Sequence, residues 1–128
     1  MIGISQTRSA ALTAKVNLIN CFFAIDSSDS MSGSKWKKTQ AGVRKIYNQL
    51  TSSDFCGVMT FNEKVNPITY GQKGDIMSDM VTFDRMSPSG GTALYDAIFQ
   101  SIALTLKIHN KISEALTQSV LTYLVVLY

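Results

Sequence analysis

Residues 16–25, Val-Asn-Leu-Ile-Asn-Cys-Phe-Phe-Ala-Ile, form a short and almost continuous apolar run, the pattern of a strand covered on both faces. That run predicts the centre of a sheet. Residues 26–37 are rich in Ser and hold one Gly, after which Trp36, Val43, Ile46, Tyr47 and Leu50 recur at helical spacing, with Lys37, Lys38, Arg44 and Lys45 on the opposite face. The basic side is read as a solvated helix face. Residues 55–61 make a second apolar strand, and Asn62-Glu63-Lys64 turns the chain into residues 65–70. Pro67 lacks an amide donor, which puts this third strand at a sheet edge, and the tight hairpin makes it antiparallel to the second. Residues 71–74 read as a loop, 75–84 as a short helix and 87–92, Ser-Pro-Ser-Gly-Gly-Thr, as a second turn-forming loop. A long helical pattern follows at Leu94, Ala97, Ile98, Ser101, Ile102, Thr105 and Ile108. The pattern leaves open whether residues 110–118 extend or interrupt that helix. Residues 120–128 are a strand of the buried type.

The order strand, helix, strand, edge strand, helix, strand implies an α/β fold. Its sheet is open, doubly wound and Rossmann-like, mostly parallel with one antiparallel edge strand, and lies between two helical layers. Ligands of such sheets bind beyond the carboxyl ends of the strands. That rule nominates residues 26–33 and 87–92.

Composition agrees with one core-forming domain. Of 128 residues, 45% are apolar and only 16% charged, against about 25% charged in an average protein. No apolar run approaches the roughly 20 residues of a membrane-spanning helix. The net charge of +3 is too small and too scattered for nucleic acid, which demands a dense basic stripe. Two cysteines, Cys21 and Cys56, cannot make a disulfide framework and read as small core residues in a reducing compartment. Arg8 and Lys15 precede the first apolar run, but Asn17 and Asn20 interrupt it and no small-residue cleavage site follows before Asp26, so it is not read as a secretory signal. A cytoplasmic location is the resulting expectation, with residues 1–15 as an N-terminal extension.

The candidate chemistry lies at the end of the first strand. Asp26, Ser28 and Ser30 lie two apart, and in a loop leaving a strand their oxygens can turn toward one point. One carboxylate and two hydroxyls form a hard, oxygen-only, mostly neutral set that suits Mg²⁺ or Mn²⁺. A carboxylate from outside the chain would complete the shell.

Here the sequence resembles a known family. Asp26-x-Ser28-x-Ser30 after an apolar strand, Gly90-Gly91-Thr92 followed by Leu94-Tyr95-Asp96-Ala97-Ile98, and the intervening Gly57-Val58-Met59-Thr60-Phe61-Asn62 are similar to a von Willebrand factor type A domain. The resemblance covers residues 16–128. It implies a metal-ion-dependent adhesion site with Asp26, Ser28, Ser30 and Thr92 as its metal residues. Two departures stand out. Many members carry Gly where this chain has Asp29. The family also places another metal-site Asp, usually in Thr-Asp-Gly, directly after its fourth strand, where this chain reaches Leu127-Tyr128. The expectation is therefore a type A domain incomplete at its C-terminal end, whose last strand leaves an unpaired, aggregation-prone edge.

Other assignments compete for the same residues. Asp and Ser after a strand commonly cap the next helix, a role open to Ser32 or Ser34. Gly90 and Gly91 suit a tight turn, Asp96 suits the first turn of a helix, and His109, near a helix end, is expected in solvent. An enzyme using Asp26 as a nucleophile, as dehalogenase-like phosphatases do, would need a second Asp where Ser28 stands. Ser32-Gly33-Ser34-Lys35 lacks the first Gly of a phosphate-binding loop. The lone histidine has no nucleophile elbow to serve. The sequence thus points to a non-enzymatic module that presents a divalent cation to an acidic residue of a protein partner. The alternatives are a degenerate, metal-free structural copy and a metal-dependent phosphohydrolase.

Overall fold

A computed structural model of the chain describes residues 17–116 and 119–128; the expected extension, residues 1–15, lies outside them. The elements are β1 (Asn17–Asp26), α1 (Ser34–Gln49), β2 (Phe55–Phe61), β3 (Val65–Gln72), α2 (Met77–Asp84), α3 (Leu94–Ala115) and β4 (Ser119–Leu127), with 3-10 turns at Asp29–Met31 and Lys73–Ile76. The sheet order is β3-β2-β1-β4. β1 runs parallel to β2 and to β4, and β3 is antiparallel to β2 at the edge, as the hairpin and Pro67 predict.

Side chains alternate across a strand, and β1 divides its run between two helical layers. Phe23 and Ile25 pack with Trp36, Val43 and Tyr47 of α1 and Met80 and Phe83 of α2. Phe22 and Ala24 face the other way, against Met59, Phe61 and Ala97, with Leu104 and Ile108 of α3 beside them. Phe22 also explains Gly57. A Cβ there would lie 2.4 Å from the Phe22 ring, which occupies that space to stack on Tyr70 at 5.3 Å.

Several local expectations change. Helix α3 continues without interruption to Ala115, and β3 runs on to Gln72. Ile46 is 39% exposed, because α1 turns only the Trp36, Val43, Tyr47 and Leu50 stripe to the sheet. Neither Ser32 nor Ser34 caps α1: the N-cap is Gly33 at φ 86°, with no side chain bonded to the first turn. That left-handed conformation is one L side chains avoid. His109 is not in solvent either. It is half-buried where α3 passes over β4, its Nδ1 2.6 Å from Thr122 Oγ1, a hydroxyl that also accepts the Asn20 amide at 3.3 Å.

Candidate metal centre

Asp26 is the last residue of β1 and pairs in register with Phe61, the last of β2, so both chains leave the sheet at the same level. The first residue beyond β1 stays tied to its neighbour. Ser27 donates its backbone N–H to the Phe61 carbonyl at 2.7 Å and its hydroxyl to the same oxygen at 3.0 Å. The chain then folds back on Asp26. Its Oδ1 accepts the Ser28 amide at 2.8 Å and the Ser28 hydroxyl at 2.6 Å, a local turn that short acidic side chains favour. The Asp29–Met31 turn, anchored by the buried Met31, brings Ser30 round until its Oγ is 3.1 Å from Ser28 Oγ. Since the single hydroxyl hydrogen of Ser28 is used on Asp26, Ser30 donates in that pair.

The second loop is clamped onto the first. Asp29 N–H donates to the Gly90 carbonyl at 2.9 Å and Ser89 N–H to the Ser27 carbonyl at 2.7 Å. Asn62 holds the loop from the other side, donating its side-chain amide to the Ser89 carbonyl at 3.1 Å and accepting Ala93 N–H at 2.8 Å. Gly90 adopts φ 82°, and a Cβ there would lie 3.5 Å from the Asn62 amide and from Glu63 Oε1. The loop therefore needs glycine for its backbone conformation rather than for space. Thr92 sits between the tethers at Gly90 and Ala93, exposed.

The structure thus brings Asp26, Ser28 and Ser30 into one hydrogen-bonded cluster and fixes the Thr92 loop against it. Thr92 itself makes no side-chain hydrogen bond among the described residues. Asp29, the departure from the family pattern, is exposed, and its backbone rather than its carboxylate joins the loops. Ser27 and Glu63 are not marked as site residues by the sequence, and Asn62 enters there only through the family motif and the turn. Asn62 at the strand end before a turn was the available signal, since Asn commonly organises turn backbone.

The donor set fits a hard cation. One carboxylate and two hydroxyls lie within hydrogen-bond distance of one another, at 2.6 and 3.1 Å, an oxygen-only set of the kind Mg²⁺ takes. Ser28 spends its hydrogen on Asp26, which leaves an oxygen lone pair for an ion. Among the described residues no three His, Cys, Asp or Glu side chains converge on a metal position, so the cluster's donors are one carboxylate and hydroxyls.

No protein-family model matches the chain. Over 95 residues it is 28% identical to inter-alpha-trypsin inhibitor heavy chain H2 of Homo sapiens, covering 71% of this chain and 10% of that protein. Over 87 residues it is 32% identical to the Mesocricetus auratus protein of the same name, covering 65% of this chain and 9% of that one. The chain spans about a tenth of the length of these curated relatives. Its fold matches the SpRpn10 VWA domain with a TM-score of 0.57 at 21% identity, over 82% of this chain and 58% of that one. The chain has the von Willebrand factor type A fold. A second type A likeness is proximal thread matrix protein 1 of the mussel byssus, solved with a zinc-occupied MIDAS motif, at a TM-score of 0.56 and 13% identity, over 87% of this chain and 36% of that one. In this chain the loops that follow β1 and precede α3 meet at the carboxyl end of the parallel strands, where ligands of open α/β sheets bind.

Proposed function

We propose that the chain is a non-enzymatic binding module that presents a divalent cation, Mg²⁺ or Mn²⁺, to an acidic side chain of a protein partner. Asp26, Ser28 and Ser30 would hold the ion, with Thr92 contributing from the clamped second loop. The observation that carries this is the gathering of one carboxylate and two hydroxyls at the strand end, with the Thr92 loop bonded against them. A bound ion supplies a Lewis-acidic position for a carboxylate oxygen, and with one protein carboxylate around it much of its positive charge would remain for the partner. The zinc-occupied motif of the byssal protein supports the cation class without choosing the ion.

The histidine does not serve Asp26 as a catalytic companion. His109 is engaged with Thr122, whose register partner Asn20 lies six positions below Asp26 on β1, about 20 Å away at strand rise. We further propose a cytoplasmic location, in which Cys21 and Cys56, buried opposite each other on paired strands, would stay reduced.

Calorimetric titration with Mg²⁺, Mn²⁺ and Zn²⁺ tests the metal assignment. One ion should bind per chain, with binding lost in Asp26→Ala and Ser28→Ala while circular dichroism stays native. Unchanged binding in both variants, or none in the parent chain, would overturn it.

A further inference from the structure

Beside the metal loops runs a groove of about 390 Å³, lined among others by Ser32, Gly33, Lys37, Arg85 and Ser87, with Trp36 at its base. The floor is closed by bonds within the chain. The Trp36 indole donates to the Met86 carbonyl at 2.9 Å, and the Gln40 amide donates to the Phe83 and Asp84 carbonyls at 3.0 and 3.2 Å. The rim is left with charge. Asp84, the one acidic residue lining the groove, is paired with Arg44. Lys37 and Arg85 form no ion pair among the described residues. Helix α1 also opens here with no side-chain cap and no acidic residue in its first turn, so its own first turn leaves the positive end of its dipole uncompensated.

Both walls lead into the metal site. Ser32 follows Ser30 by two residues, which span at most about 7 Å. Ser87 and Pro88 lead into Ser89, whose amide holds the Ser27 carbonyl.

We propose that this groove is the second half of the partner-binding surface, and that Lys37 and Arg85 receive a second acidic side chain from the segment whose first carboxylate binds the metal. This rests on the metal-site assignment above. The partner is then an extended acidic segment with two carboxylates a few residues apart, since an extended chain rises about 3.3 Å per residue. Arg85 can grip a carboxylate through two parallel N–H bonds, and Lys37 adds a point charge.

Three blocked pentapeptides test it: Gly-Asp-Ser-Asp-Gly, Gly-Asp-Ser-Asn-Gly and Gly-Asn-Ser-Asn-Gly. Binding is read from the emission of Trp36, the only tryptophan in the chain, in Mg²⁺ and in EDTA. In Mg²⁺ the diacid should bind about 5- to 10-fold tighter than the monoacid, the scale of one or two exposed ion pairs, with the advantage shrinking as salt is added. The Lys37→Gln/Arg85→Gln double variant should lose that advantage and keep the parent's Mg²⁺ affinity. Equal affinity for diacid and monoacid, or a preference undiminished in the double variant, would overturn the proposal. If the chain binds no Mg²⁺, the metal assignment fails on its own. The groove is then judged in EDTA, where the diacid must outbind the neutral peptide in the parent chain and not in the double variant; equal binding there overturns it.

Discussion

Strands β1 and β4 are parallel neighbours whose residues pair from Asn17 with Ser119 to Ile25 with Leu127, and both are apolar, yet they end up in different surroundings. Phe23, Ala24 and Ile25 of β1 are fully buried, whereas Leu121 and Tyr123 of β4 are 45% and 51% exposed. The difference is position. β1 has a hydrogen-bonded strand on each side and helices on both faces; among the described residues β4 pairs with β1 alone. A strand held on every side fixes the direction of its last residue more firmly than one paired on a single side. Asp26, the metal candidate, stands on the strand so held.

The comparison predicts a graded response to mutation. Phe22→Ala and Phe23→Ala should each cost about 3–5 kcal/mol in urea unfolding, because the vacated space is walled by strands and helices that cannot collapse into it. Equal tolerance of these and of Tyr123→Lys on β4 would break the contrast.

Alkali should act next. Burial pushes the Cys21 thiol up to about 11, and burial, with Cys21 adding to it, pushes Cys56 up to about 12. Each thiol is therefore held neutral in the folded chain at pH values where an unfolded thiol ionises. Their contribution is complete below about pH 9 and declines as pH rises from there toward 11–12. A urea midpoint flat across that window would contradict the placement of both thiols. Gly57→Ala should cost about 1–3 kcal/mol by driving a methyl into the Phe22 ring, with the loss reduced in the double variant with Phe22→Leu. Asn62→Ala should cost about 1 kcal/mol and weaken Mg²⁺ binding several-fold by loosening the second loop; unchanged metal affinity would show that the clamp does not matter to the site. Tyr123→Lys should fall within about 0.5 kcal/mol of the parent and lower any self-association of the exposed edge, since an edge charge opposes strand pairing.

These contrasts also show what was readable beforehand. The strands, the antiparallel hairpin and the two candidate loops follow from apolar runs, Pro67 and the glycine-rich turn, because those patterns report local backbone preference. Asp26, Ser28 and Ser30 were visible through their spacing. The clamp was not, because Ser27, Asn62 and Gly90 act through bonds to backbone between segments up to 62 residues apart, which leave no periodicity. His109 was misplaced for a similar reason: its partner Thr122 lies on a strand that a helical pattern cannot see. The same apolar signature served β1 and β4, since composition reports that a strand will pack and not how many neighbours it will have.

Paramagnetic broadening by Mn²⁺ in the amide spectrum tests the central claim most directly, because it locates the ion. At low Mn²⁺ the amides of residues 27–30 and 90–93 should broaden first, those of residues 121–123 on β4 should persist, and Ser28→Ala should abolish the pattern. Broadening centred on any other part of the chain, or unchanged in Ser28→Ala, would contradict a cation held by Asp26, Ser28 and Ser30.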